Sequence, residues 1–204
     1  MLRARVKSCT PWLRVCRTPA PYFTIAARSA RRHYRMGLYY DVFETGWGWV
    51  AAAGSEKGIR YATLPEPSPD RALDDLERSM RAPLPEHVPD AFNAYRAQLE
   101  AYLRGDAPTW NVPLDLDGVA PFFRRAWDAC RSIPRGETRT YEWLAASAGN
   151  IRAVRAAGQA MARNRIPIVI PCHRVIGKDG GLHGFGGPGL GMKARLLNLE
   201  AATA

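Results

Sequence analysis

Between Ile166 and Ile170 the chain reads Ile-Pro-Ile-Val-Ile, and a second proline, Pro171, follows at once. Branched aliphatic side chains at that density belong in an interior. Proline neither donates to a strand ladder nor continues a helix. The chain therefore buries a strand-like segment here and then turns, which presents Cys172-His173-Arg174-Val175 at the end of a buried stretch. Even this apolar run is far shorter than the roughly 20 residues of a membrane helix, and no uninterrupted run elsewhere approaches that length. An integral membrane protein is excluded. With 204 residues, 47% of them hydrophobic and 10% aromatic, the chain can build one large domain or two small ones, and wholesale disorder is excluded too.

The net charge of +10 comes in three blocks. Residues 1–35 carry nine basic side chains and no acidic one, a net +9; residues 36–119 carry −7; residues 120–204 carry +8. The leader has no helical or strand period and ends in Arg31-Arg-His-Tyr-Arg35 ahead of Met36. Arg-rich, acid-free N-termini serve as organelle transit peptides or as polyanion-binding arms. The simplest reading is an upstream start, with 1–35 disordered and Met36 opening the working protein. Cys9 and Cys16 lie in this leader and are not assigned to a metal site. Four cysteines without a CxxC make no disulfide scaffold, so a reducing compartment, the cytoplasm, is the expected location.

From Leu38 the pattern is strand-like, in three runs at 38–43, 47–53 and 59–64 broken by Gly46, Gly54 and Gly58. They predict an antiparallel meander. Ser68-Pro69 offers an N-cap and a first-turn proline for a helix with Leu73, Leu76 and Met80 on one face. Asp90 is expected to cap a second helix that carries Phe92, Tyr95, Leu99 and Tyr102 to Gly105. The carboxylates of this half read as a solvated face, and Asp115 and Asp117 as a solvated turn.

The second half is helical at first. Phe122–Ile133 has an apolar stripe; Thr140 caps a short helix over 141–148; Gly149-Asn150 turns the chain; 151–163 forms a further helix. Short helix, glycine turn, helix is a helix-turn-helix pattern. On the last helix Ile151, Val154, Gly158 and Met161 are expected to face the core. Arg152, Arg155, Gln159 and Arg163 take the other side, where arginines can neutralise phosphates.

Cys172 is the candidate nucleophile. A thiol becomes strongly nucleophilic when positive charge, a helix N-terminus or a base favours its thiolate, and His173 and Arg174 are adjacent. A lone Cys-His pair is more often a buried cysteine beside a core histidine, and adjacent Cys and His lack the second pair that zinc needs. The glycines that follow, from Gly177 to Gly191, lack the Lys-Ser/Thr ending of a phosphate-binding loop. No metal and no cofactor are expected.

The ordered set Gly136-Glu137, Tyr141, Leu144-Ala145, Arg155-Ala-Ala-Gly158, Asn164, Ile170-Pro-Cys-His-Arg-Val175, Gly184-Phe185-Gly-Gly187, Lys193 and Leu196-Leu-Asn-Leu-Glu200 resembles the O6-alkylguanine-DNA alkyltransferases, also called methylated-DNA–protein-cysteine methyltransferases. The resemblance is strong from about Gln98 to Glu200 and fainter from Leu38. It implies an α/β protein with a ribonuclease-H-like domain and small antiparallel sheet over 36–112. A mostly helical DNA-binding and alkyl-acceptor domain with a winged-helix-like helix-turn-helix would follow over 113–204. It further implies a monomer that meets double-stranded DNA through the minor groove, with no membrane partner, bound to the nucleoid when on DNA, or nuclear in a eukaryote.

By the same resemblance an alkylated guanine is flipped into a pocket and its alkyl group moves irreversibly to Cys172, once per molecule. O4-methylthymine is a further candidate substrate. His173, through water, and Glu200 generate the thiolate; Asn164 braces the turn; Tyr141 donates toward the base. Met161, Pro167 and Phe185 form apolar walls, and the backbone around Val175 and Gly186 meets the guanine edge. Arg155 enters the duplex, with Arg152 and Gln159 on the same DNA-facing helix. Three departures stand out: Arg165 where the family usually has proline, His183 where a small residue is common, and one residue more than some members in Gly186-Gly-Pro-Gly189. Two other readings remain: a helix-turn-helix lesion binder without alkyl transfer, and a Cys-His hydrolase unrelated to DNA.

Overall fold

The computed structural model describes residues 37–186 and 189–202. The basic leader, Met36 and the Gly187 of the glycine-rich motif lie outside the described residues. The fold is mixed α/β, with a small mixed sheet and helices around it.

Strands β1 (Tyr39–Thr45), β2 (Gly48–Ser55) and β3 (Gly58–Ala62) form the expected antiparallel meander. Side chains on a strand alternate between faces, and β2 uses both. Val50 and Ala52 join the main core, while Ala51 and Ala53 pack under helix α1 (Pro69–Met80) with Ala72 and Leu76. Small residues on that face let the helix sit close. The Ser68 side chain caps α1 by accepting the Arg71 N–H, with Pro69 in the first turn. A two-residue strand, β4 (Glu86–His87), pairs in parallel with β1 and was not foreseen between the prolines.

Helix α2 (Asn93–Leu103) buries Tyr95, Leu99, Tyr102 and Leu103. Its expected cap at Asp90 is not formed. Asp90 adopts φ 62°, and its N–H donates to Asp41 Oδ2 at 3.1 Å. The buried Asp41 carboxylate claims that donor, and aspartate tolerates the left-handed region.

Asp115, expected in a solvated turn, is 2% exposed. Ser55 Oγ donates to it at 2.7 Å, Arg60 donates twice at 3.1 Å, and the Asp117 N–H donates at 3.1 Å. Asp41 and Glu66 are buried as well, although Asp70, Asp74 and Glu77 on α1 are solvated. Asp115 fastens the segment after residue 112 alongside β3, where Ile59 N–H donates to Pro113 O and Asp115 N–H to Ile59 O. That approach needs glycine at Gly58, since a Cβ there would fall 2.1 Å from Pro113 O at φ +133°.

The second half runs α3 (Pro121–Arg131), β5 (Arg139–Thr140), α4 (Tyr141–Ser147), α5 (Val154–Ala162), a 3-10 turn (Cys172–Arg174), β6 (Val175–Ile176) and α6 (Leu190–Ala201). Thr140 caps α4 as expected. Helix α5 starts at Val154 rather than 151, because Asn150 Oδ1 accepts the Arg152 N–H and holds a turn. The inward face is Ala157, Ala160 and Met161, while Ile151 and Val154 are 59% and 38% exposed. Trp127 of α3 reaches across to donate its Nε1–H to Ala160 O at 2.8 Å. The outward Arg152, Arg155, Gln159 and Arg163 are exposed.

The strand expected at Ile166–Ile170 is a buried loop instead. Ile170 N–H donates back to Ile166 O, only Pro167 and Ile170 bridge, and Ile168 sits at φ 73°. Left-handed geometry in a β-branched residue costs of order 1–3 kcal/mol. Burial of Ile166, Ile168, Val169 and Ile170, each at most 2% exposed, offsets that cost at roughly 1.5–3 kcal/mol per side chain.

Burial alone would raise the Asp115 carboxyl pKa, but hydrogen bonds from Ser55, Arg60 and the Asp117 N–H outweigh it and hold the pKa below its ordinary value. Such a group stabilises the fold above its unfolded pKa of about 3.9 and loses that contribution as pH falls through the folded value. Asp115→Asn is expected to cost about 2 kcal/mol in urea unfolding at pH 7. The gap from wild type should close in acid, below pH of about 4.

Candidate active site

Cys172 opens the 3-10 turn and is 7% exposed. Asn164, just past α5, organises the loop that ends there. Its Nδ2 donates to Ile170 O at 2.8 Å and to Cys172 Sγ at 3.1 Å, while its Oδ1 accepts the Ile166 N–H at 3.0 Å. One side chain thus spans both ends of the loop and touches the sulfur. Arg165 ties the same loop to the sheet: its carbonyl accepts the Ala62 N–H at 2.8 Å, and its guanidinium lies 5.2 Å from the Tyr61 ring centre.

Beside the thiol lies a fully buried polar cluster. His173 Nε2 is 2.9 Å from Glu200 Oε1. Arg174 donates Nε to Glu200 Oε2 at 2.9 Å and Nη2 to Oε1 at 2.8 Å, and its Nη1 donates to Ile133 O at 2.6 Å. Tyr102 OH donates to Glu200 Oε1 at 2.6 Å and lies 3.3 Å from His173 Nε2. The Gly136 N–H points at Glu200 Oε2 from 3.4 Å. His173 Nδ1 is buried with no hydrogen-bond partner among the described residues.

The electrostatics follow from this wiring. Burial would raise the Glu200 carboxyl, yet hydrogen bonds from His173, Arg174 and Tyr102 hold it well below the usual carboxylate range. It is a fixed negative charge. Burial lowers the pKa of His173 although Glu200 opposes the shift. The imidazole is therefore neutral at pH 7, with Nε2–H committed to Glu200 and Nδ1 left as an acceptor. Burial pushes the Cys172 thiol up, and the Asn164 hydrogen bond and Lys193 charge pull it back. Burial pushes the Cys130 thiol up as well; the sulfur that Asn164 reaches is that of Cys172.

Lys193 of α6 is 0% exposed, and its Nζ donates to Val175 O at 2.7 Å and Leu182 O at 2.6 Å. It pins the glycine-rich loop to β6 while placing a cation near the sulfur. The Val175 N–H donates to Cys172 O, and its carbonyl accepts from Lys193.

The structure gathers Cys172, His173, Glu200 and Asn164 into one constellation. Met161 is 7% exposed in the same core cluster as Cys172, and Phe185 packs on that cluster from outside. Pro167 is half-buried and Gly186 exposed. Tyr141 lines a groove of about 420 Å³ with Val154, Gly158, Gly177, Lys178 and His183. His183, at φ 48°, pairs with Asp179 Oδ1 at 2.9 Å and folds over Gly177, where any Cβ would collide with its ring. Arg155 and Gln159 of α5, and Arg152 in the turn before it, are exposed. No group of three or more metal-ligating side chains occurs among the described residues.

Sequence reasoning missed Tyr102, the clamp of Arg174 on Glu200, and the burial of Lys193. Tyr102 shares the apolar spacing of α2 and passes for core. A hydroxyl on that buried face was the available signal, because it must find a partner.

Fold and site define a protein in which a buried cysteine is followed by a neutral histidine hydrogen-bonded to a buried carboxylate. The family profile "6-O-methylguanine DNA methyltransferase, DNA binding domain" matches residues 121–202. The chain is 40% identical to a methylated-DNA–protein-cysteine methyltransferase of Methanosarcina barkeri over 80% of its own length and 97% of that relative's. The O6-methylguanine methyltransferase of Mycobacterium tuberculosis superposes with a TM-score of 0.67 at 35% identity, covering 82% of this chain and 95% of that one. The Mycobacterium tuberculosis OGT in complex with DNA gives a TM-score of 0.67 at 33% identity, covering 81% and 94%. The chain belongs to the methylated-DNA–protein-cysteine methyltransferase family.

Lys193→Met is expected to slow iodoacetamide labelling of Cys172 at pH 7 by about three- to tenfold, because a cation that favours the thiolate is lost. Peptide mapping separates this site from Cys9 and Cys16, and an unchanged rate would assign Lys193 to loop structure alone.

Proposed function

We infer that this chain repairs DNA by taking the alkyl group of O6-alkylguanine onto Cys172. The observation that carries the reading is the pairing of the Asn164-held sulfur with a neighbouring imidazole whose Nε2 is engaged by Glu200 and whose Nδ1 is open. His173 Nδ1 takes the thiol proton through an intervening water. Sγ attacks the alkyl carbon, a carbon–sulfur bond forms, and the carbon–O6 bond breaks with its electron pair left on guanine. Tyr141 donates toward the leaving base, and in net terms the thiol proton ends on guanine. A thioether has no route back in this chemistry, so each molecule turns over once.

The arginine face of α5 supports DNA as the partner. Arg155 enters the duplex to fill the space of the flipped nucleotide, while Arg152 and Gln159 hold the strand. Entry from the minor groove suits a repair protein that must tolerate any sequence. On this reading α4 and α5 form the helix-turn-helix of a winged-helix-like acceptor domain over 113–204. Residues 36–112 are the ribonuclease-H-like scaffold, and the protein acts as a monomer in the cytoplasm. Met161, Pro167, Phe185, Gly186 and the Val175 carbonyl line the base pocket. His183 stands at the adjoining groove, where its bulk limits the alkyl groups admitted.

With methyl-labelled O6-methylguanine DNA, one label per protein is expected on Cys172, and none on the Cys172→Ala variant. Lesion binding without label in the wild type would favour a DNA sensor and overturn the reading. Glu200→Gln is expected to slow transfer while leaving DNA affinity largely intact. Arg152→Ala should weaken affinity and flatten its salt dependence, and Arg155→Ala should impair base flipping. Equal losses of rate and affinity in all three would contradict these roles.

A further inference from the structure

Tyr102 is 1% exposed, and its ring is held between the Arg135 guanidinium, 5.1 Å from the ring centre, and Trp110 at 5.9 Å. A phenol of that size could have filled this space as phenylalanine. Its hydroxyl instead reaches the one carboxylate that the site depends on, at 2.6 Å, and lies 3.3 Å from the imidazole nitrogen bound to the same oxygen. Glu200 Oε1 thus accepts from three donors: Tyr102, His173 and Arg174.

We infer that Tyr102 is a positioning residue of alkyl transfer: its hydroxyl holds Glu200 and His173 in register and tempers the carboxylate's pull on the imidazole. The inference rests on the alkyl-transfer reading above. A carboxylate that shares its charge with a phenol hydrogen accepts less strongly from Nε2–H. The imidazole then keeps a lower proton affinity, and Nδ1 stays open as base over a wider pH range. Every charged group facing His173 belongs to the same balance. Glu200 from α6 favours the imidazolium, while Arg174 from the 3-10 turn and Lys193 from α6 disfavour it. Arg135 stands behind the phenol, and Cys172 and Cys130 titrate nearby. The Tyr102 hydroxyl is itself pushed far up by burial and by Glu200, so it remains a donor throughout.

The test is Tyr102→Phe in the full chain. Single-turnover transfer from O6-methylguanine DNA is followed from pH 5 to 9, with urea unfolding measured alongside. The wild-type rate falls on the acid side as His173 protonates. In the variant this acid limb moves up by about half a pH unit or more, and the 15N resonances of His173 titrate at correspondingly higher pH. A limb that stays in place while stability drops overturns the inference and leaves Tyr102 as packing. Should the variant not fold, uniform 3-fluorotyrosine labelling strengthens the donor without changing its shape and should move the limb down; a limb that stays or rises overturns the inference. A wild type that transfers no label sinks the alkyl-transfer reading itself, whereas a wild type that transfers and a variant with the same limb sinks only the role of Tyr102.

Discussion

The carboxylate of Glu200 is the interaction on which the site depends. It is fully buried, and three side chains from two parts of the chain donate to it: Tyr102 from α2, and His173 and Arg174 from the 3-10 turn. A buried charge is tolerated only when paired and hydrogen-bonded. Removing one partner of such a cluster typically costs about 3–5 kcal/mol, because the remaining charge is stranded. The cluster therefore fixes the imidazole's tautomer and clamps α6 to the acceptor turn at once. Catalysis and folding draw on the same atoms.

Around that cluster the loop from Asn164 to Cys172 resolves a conflict. It must bury four branched aliphatic side chains and also end with a sulfur facing a ligand. A strand would have buried them, but its ladder would have run on past the point where the chain must turn. Instead Asn164 closes the loop from both ends, and Ile168 takes up the strain. Arg165 secures the loop through the sheet: the Ala62 N–H donates to its carbonyl, and its guanidinium lies over the Tyr61 ring.

Much of this was legible in the sequence because it is local. Ser68 and Thr140 announce their helices as caps, the three glycine-broken runs give the meander, and the ordered motif set points to Cys172, His173, Asn164 and Glu200. What was not legible depends on partners far along the chain. Asp115 reads as a solvated turn until Ser55 and Arg60 arrive from β2 and β3. Tyr102 reads as core until Glu200, far along the chain, accepts from it. On α5 alanine carries too weak an apolar signal: Ala157 and Ala160 fill the inside, and of Ile151, Val154, Gly158 and Met161 only Met161 is buried.

Helix α6 supplies both Glu200 and Lys193 and follows Cys172 in the chain. A ribosome-bound chain that has exposed its thiol but not yet this helix has no cation near the sulfur and no carboxylate behind the imidazole. The charge pattern around the sulfur is therefore complete only once the closing helix has docked, so any truncation before residue 193 removes the cation and the carboxylate together.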